Sequence, residues 1–160
     1  MAVDMFIKID KIEGEAKDAK HAKEIDVLAW SWGVSQSGTT HMGGGSGSGK
    51  VSVQDLSFTK YIDSSSHALL LACCAGTHIK EATLVVRKAG DKPLEYIKIK
   101  LTDVIVSSIN TGGSGGEDRL TENIVLNFGR FDYEYVPQKA DGSGEAAKTA
   151  GWKIPENEKA

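Results

Sequence analysis

The residues best placed to do chemistry are Gly44-Gly45-Ser46-Gly47-Ser48-Gly49-Lys50, which fill the first seven places of the phosphate-binding pattern G-x-x-x-x-G-K-[ST]. Such a loop would cradle phosphates with its backbone amides, while the lysine reached the outer oxygens. The eighth place is Val51, where the pattern needs a hydroxyl to hold magnesium. A phosphate loop must also open a helix, whose N-terminus faces the anion. Lys50 leads instead into Val51-Ser52-Val53-Gln54, an apolar/polar alternation with the period of a strand. No βαβ rhythm surrounds the run, and no later strand ends in a well-placed aspartate. The run reads as a glycine- and serine-rich connection between strands, not a nucleotide site.

Other reactive residues are scattered. None of His21, His41, His67 and His78 lies three or four residues from another or beside a cysteine at metal-ligand spacing, so no metal site is expected. His67 reads as a partly exposed neighbour of a helix start. Cys73 and Cys74 are adjacent, which strains a mutual disulfide and lacks the spacing of a redox or zinc motif; they read as small buried helix residues. Glu117, Asp118 and Arg119 come after the glycine loop Gly112 to Gly116 and read as a solvated turn or an interfacial ion pair. No nucleophile elbow is present, and nothing indicates an enzyme or a cofactor.

The elements that position these residues have mostly the period of strands. At 160 residues, with net charge −3, 40% hydrophobic and 26% charged residues, one soluble domain is expected. No basic run tracks a phosphate backbone, so nucleic acid is not an expected partner. No apolar stretch is long enough to span a bilayer, and the first residues lack the layout of a signal peptide; cytoplasmic synthesis without membrane insertion is expected. Alternation predicts strands from Val3 to Ile9, Ile25 to Ser35, Val51 to Tyr61, Ile79 to Lys88, Leu94 to Thr111 and Leu120 to Val136. Lys11 to Lys23 reads as a solvated loop. One helix is expected over Ala68 to Ala75, entered through Ser64 to Ser66 and stopped by Gly76. Residues 1–138 form the domain, and residues 139–160 read as a polar, glycine-rich, mobile tail apart from Trp152.

Three strands change phase part-way. Val51 and Val53 give way to Leu56 and Phe58; Ile97, Ile99 and Leu101 to Val104 and Val106; Ile124, Leu126 and Phe128 to Phe131, Tyr133 and Tyr135. β-Bulges would swap faces in this way and curl the sheet. The fold class expected is mostly β: a small antiparallel β-barrel of two packed sheets, flanked by one α-helix. Leu28, Trp30, Trp32 and Val34 should face its core, turning Ala29, Ser31 and Gly33 outward.

MAVDMFIKID, EIDVLAWSWGVSQSG, VSVQDLSFTKYID, the Ser64-Ser65-Ser66 helix entry and VSSINTGGSGGEDRLTENIVLNF together resemble the haemolysin-coregulated (Hcp) proteins of bacterial type VI secretion, in the family's order and up to about residue 138. The resemblance implies hexameric rings that stack into an inner tube. A contracting sheath expels that tube behind a spike tip, and effector proteins travel protected in the lumen. It also implies export without a cleaved signal, and no catalysis by the ring. On this basis Ala29, Ser31 and Gly33 are lumen-lining candidates. Gln36, Thr39, Thr40, His41, Met42, Gly44, Ser46 and Lys50 are candidates for a loop that reaches a neighbouring subunit or ring, and Glu117, Asp118 and Arg119 for a second interface. The competing classes are a monomeric ligand-binding barrel and a nucleotide binder that depends on Lys50.

Overall fold

The computed structural model describes residues 3–38, 49–90 and 93–160. Its elements run β1 (Val3–Ile9), β2 (Ile25–Asp26), β3 (Ala29–Ser31), β4 (Val34–Ser35), β5 (Ser52–Val53), β6 (Leu56–Tyr61), α1 (Ser66–Ala75), β7 (Ile79–Lys88), β8 (Leu94–Thr111), β9 (Thr121–Tyr135), β10 (Lys148–Lys153) and β11 (Glu158–Lys159). A nine-stranded antiparallel sheet carries nearly all of them, with β4 and β5 as a separate pair. The mostly β class with one helix is as the sequence indicates.

The barrel is not closed by a ladder. β2 pairs with β1 and β3 pairs with β6, so the circuit is bridged where the chain steps from one to the other. At that step Val27 donates to the Met5 carbonyl at 2.9 Å and Leu28 to the Thr59 carbonyl at 2.8 Å. The continuous strand expected from Ile25 to Ser35 is therefore three short ones, and its face changes at the step. Ile25 and Val27 are buried before it; Trp30 and Trp32 pack on the core after it. Leu28 and Val34, expected inside with the tryptophans, are exposed.

Two of the three expected phase switches, those in β8 and β9, fall on one line across the sheet with a matching one in β7. The third, from Val53 to Leu56, is the break between β5 and β6, which belong to different sheets. Ile79 and Ala82 in β7, Leu101 and Val104 in β8, and Phe128 and Phe131 in β9 all pack inward, although each pair is three apart. The register fixes their alignment: Ile79 and Phe128 pair with Val104, while Ala82 and Phe131 pair with Leu101. The ladder keeps step here, so these switches are not bulges. Asp103 between them sits in the left-handed region at φ 56°, and Gly129 lies against it. The register shifts that do occur lie at Val86/Arg87 and Val106/Ser108. Trp32 fills the angle of the bend from inside, its ring 4.8 Å from that of Phe131 and 6.3 Å from that of Phe128.

Helix α1 begins where Asp63 accepts the Ser65 amide at 2.8 Å, and it ends at Gly76 with φ 61°. Thr77 reaches back to the Ala72 carbonyl at 3.0 Å, the closing bond of a left-handed helix stop. Leu69 and Ala72 join the core, each such burial contributing up to about 2–3 kcal/mol for a side chain of leucine size. Leu70 and Leu71 point to solvent. Cys73 is half-buried and Cys74 exposed, so the buried cysteine pair expected from the sequence is not found; a ten-residue helix with one face on the sheet leaves the other open.

Two segments expected to be solvated are packed. Residues 148–153, within the expected tail, pair with β9 along their length as β10. Residues 11–23 fold back over the outer face of β1 and β7, burying Ala16 and His21. Gly14 permits this fold, because a Cβ there would lie 2.6 Å from the Glu24 carbonyl oxygen.

Candidate functional site

Alternation along β3, β6, β9 and the far half of β8 turns Trp30, Phe58, Ile124 and Ile109 toward the core. The opposite face is therefore built from their neighbours, and register places them in two rows. Ser31, Ser57, Val125 and Ser108 form one; Ala29, Thr59, Asn123 and Asn110 form the other. No side chain in either row is ionisable. The rows are knitted by hydrogen bonds: Thr59 Oγ1 donates to Asn123 Oδ1 at 2.9 Å, Asn123 Nδ2 to Ser57 Oγ at 3.4 Å, and Asn110 Nδ2 to Ser108 Oγ at 3.1 Å. Ala29 and Ser31 are exposed on it. Gly33, the third lumen candidate, lies beyond the rows; its carbonyl accepts the Gln54 amide at 2.9 Å.

The charges of these strands are hidden beneath that face. Lys60 comes after Leu56 and Phe58 at inward parity and is fully buried; Glu122 precedes Ile124 and Leu126 in the same way. Lys60 Nζ lies 2.5 Å from Glu122 Oε2, 3.0 Å from Asp63 Oδ1 and 3.2 Å from Ser66 Oγ. Ser66 Oγ donates to Glu122 Oε2 at 2.7 Å. This network ties β6, β9 and the entry of α1 together, and it supplies each buried charge with partners. Sequence reasoning missed it, although a lysine and a glutamate at core parity were the signal.

Across the bend the outward faces of β8 and β9 are charged instead. Lys98 pairs with Glu134 across the ladder and Lys100 with Asp132. Lys100 Nζ lies 3.3 Å from Glu81, and Arg130 grips Asp132 through two nitrogens at 2.9 and 3.1 Å. Those bonds hold the Arg130 guanidinium above its ordinary range.

The interface candidates are partly visible. Gln36 and Lys50 are exposed, whereas Thr39, Thr40, His41, Met42, Gly44 and Ser46 lie outside the described residues. Lys50 precedes the strand β5 and not a helix, which removes the setting a phosphate loop requires. Both ends of the connection, Gln36 and Gly49, border a groove of about 370 Å³ floored by Phe131 and Trp152. Glu117, Asp118 and Arg119 are all exposed; Arg119 stacks on Tyr61, its guanidinium carbon 3.8 Å from the ring centre. Among the described residues, no group of three or more His, Cys, Asp and Glu is arranged to hold a metal ion. No helix among them is long and apolar enough to cross a membrane.

Residues 6–135 match the family model described as type VI secretion system effector, Hcp. The chain is 60% identical over 159 residues to Protein hcp1 of Pseudomonas aeruginosa, covering 98% of each. Among solved structures it is similar to Hcp1 from Salmonella typhimurium, at 43% identity and TM-score 0.83 with 100% of both chains covered. A structure described as that of a type six secretion system protein superposes with TM-score 0.93 at 36% identity, covering 99% of this chain and 100% of that one.

Proposed function

Because this chain belongs to the Hcp family of type VI secretion system proteins, we propose that it is the repeating subunit of the secretion tube. Six copies close head to tail into a ring, rings stack, and the contracting sheath drives the tube outward behind its spike tip. The subunit folds in the cytoplasm and leaves without a cleaved signal. Its work is mechanical and not catalytic. The lumen is lined by the uncharged face around Ala29 and Ser31, with Gly33 at its margin, and effector proteins ride there.

The observation that carries this reading is the uncharged face itself. The two rows offer no fixed charge to hold a passing protein, the neighbouring Asp55 carboxylate is held at their edge by Ser107 and Asn127, and hydrogen bonds within the rows already occupy part of their polar groups. That suits a conduit. The loop that includes Gln36, Thr39, Thr40, His41, Met42, Gly44, Ser46 and Lys50 reaches the neighbouring subunit or ring, and Glu117, Asp118 and Arg119 form a second contact there. The exposed Val34 beside the groove at the base of this loop supplies apolar surface for it.

Size-exclusion chromatography with light scattering is the first test: a mass about six times 17.1 kDa is expected. In Ser31→Glu the ring mass should persist while effector retention falls. Loss of the ring in that variant would instead assign Ser31 to packing between subunits.

A further inference from the structure

We propose that the segment from Ile12 to Ala22 is a proton-gated strap, latched by His21 onto the outer face of β1 and β7 and loosened when that imidazole loses a proton. The strap covers Phe6 and Val85, which point away from the main core and are nevertheless buried. The His21 ring stacks on Phe6 with centroids 4.5 Å apart. Each ring nitrogen meets a carboxylate: Nδ1 lies 2.9 Å from Glu24 and Nε2 lies 2.6 Å from Glu95 on β8.

A carboxylate only accepts hydrogen bonds, so both contacts are made only while both ring nitrogens carry protons. A neutral imidazole keeps one N–H. Its bare nitrogen then faces a carboxylate oxygen, and a contact that held becomes repulsive.

The charges around the ring favour the protonated latch. Arg87 on β7 is bound by Asp18 of the strap at 2.7 and 3.0 Å and by Asp4 of β1 at 3.0 Å. Lys98 on β8 stands 3.6 Å from Glu95, and Lys20 and Lys23 flank the latch on the strap itself. Of the four carboxylates in the set, Asp4 and Asp18 are answered by Arg87 and Glu95 partly by Lys98, and both carboxylates that touch the ring, Glu24 and Glu95, have His21 itself as a partner. The Arg87 hydrogen bond holds Asp18 well below the carboxylate range. Burial raises Glu95, but the bonds and charges of His21 and Lys98 together more than offset it and keep this group low. Asp18 and Glu95 therefore keep their charge as the pH rises through neutrality, and the event that breaks one of the two ring contacts is the loss of a ring proton.

The strap is bounded by two residues of unusual backbone conformation. Lys11 at φ 64° and Lys23 at φ 63° bound it, both in the left-handed region that a lysine adopts only where its surroundings impose it.

The test is amide hydrogen exchange of the full chain between pH 5.5 and 8.5, corrected for intrinsic rates, with ring nitrogens followed by NMR. Protection of the Ala16, His21, Lys23 and Glu24 amides, relative to Leu84, should fall about tenfold as the His21 ring becomes neutral. In His21→Gln the relative protection should be flat with pH. In Glu95→Gln, whose amide can donate to a bare nitrogen, the step should shrink. A wild-type strap whose protection stays constant while the ring titrates, or a ring that does not titrate in this range, overturns the proposal. So does a step that survives in His21→Gln.

Discussion

β8 and β9 carry two opposite surfaces on one pair of strands. Beyond the bend, Ser108, Asn110, Asn123 and Val125 face outward without a charge; before it, Lys98, Lys100, Arg130, Asp132 and Glu134 do. Composition alone does not separate the two halves, because Glu122 lies in the uncharged one and Lys60 pairs with it from β6. The difference lies in parity. On the uncharged side Lys60 and Glu122 take inward positions and are matched to one another; on the charged side the ionisable groups stay in water. Exposed charges are stabilised by solvent, so the outer half needs no particular partner. The inner half needs every partner it has.

Removing Lys60 should therefore have the largest effect. Lys60→Met leaves the buried Glu122 with only the Ser66 hydroxyl as a partner and takes from Asp63 its ion pair at the helix entry. The expected loss is about 3–5 kcal/mol in urea unfolding, the usual cost of orphaning one member of a buried pair. Lys60→Met combined with Glu122→Leu should recover much of it, since an apolar pair of similar volume asks for no counter-charge. If the double variant is as unstable as the single one, burial of charge is not what the network manages.

These contrasts also explain how much the sequence discloses. Strand existence and the helix stop were legible because Ile124, Leu126 and Phe128, or Gly76, state their geometry locally. The face switches were legible as well, but their cause was not. A phase slip in one strand looks like a bulge, and only the neighbouring strands show that Ile79/Ala82, Leu101/Val104 and Phe128/Phe131 line up as one bend. The packing of Lys11 to Lys23 was hidden for a related reason. Its lysines do reach solvent, while the residues that pin it, Asp18 and His21, find partners 69 and 74 positions away. Among the site candidates, the outward direction of Ala29 and Ser31 was readable from alternation; their neighbours on three other strands were supplied by register.

The bend that separates the two surfaces offers a smaller perturbation. Asp103 holds φ 56° at its centre without glycine's freedom. A β-branched residue fits that conformation poorly, so Asp103→Val should cost about 1–2 kcal/mol. Asp103→Gly, which relaxes the same strain, should be neutral or slightly stabilising. Both are exposed changes, so thermal unfolding read by circular dichroism would register the backbone and little else. Equal stability of the two variants would mean that the bend is imposed by Trp32 and its phenylalanines and not by this residue.

The smallest effect belongs to the charged face. Lys100 meets Glu81 at 3.3 Å, with roughly half of each side chain in water. Lys100→Gln should change unfolding free energy by no more than about 0.5 kcal/mol, and added salt should erase even that. The comparison is sharpened by placing the reverse change on the other surface, because Asn123→Lys sets a charge among hydroxyls and amides that offer no counter-ion. It also removes the amide that accepts from Thr59 and donates to Ser57. That variant should lose more stability than Lys100→Gln in matched denaturation curves, with a deficit that salt reduces only in part. Equal tolerance on both sides of the bend would show that the uncharged face is set by composition and not by the way the strands distribute their charges.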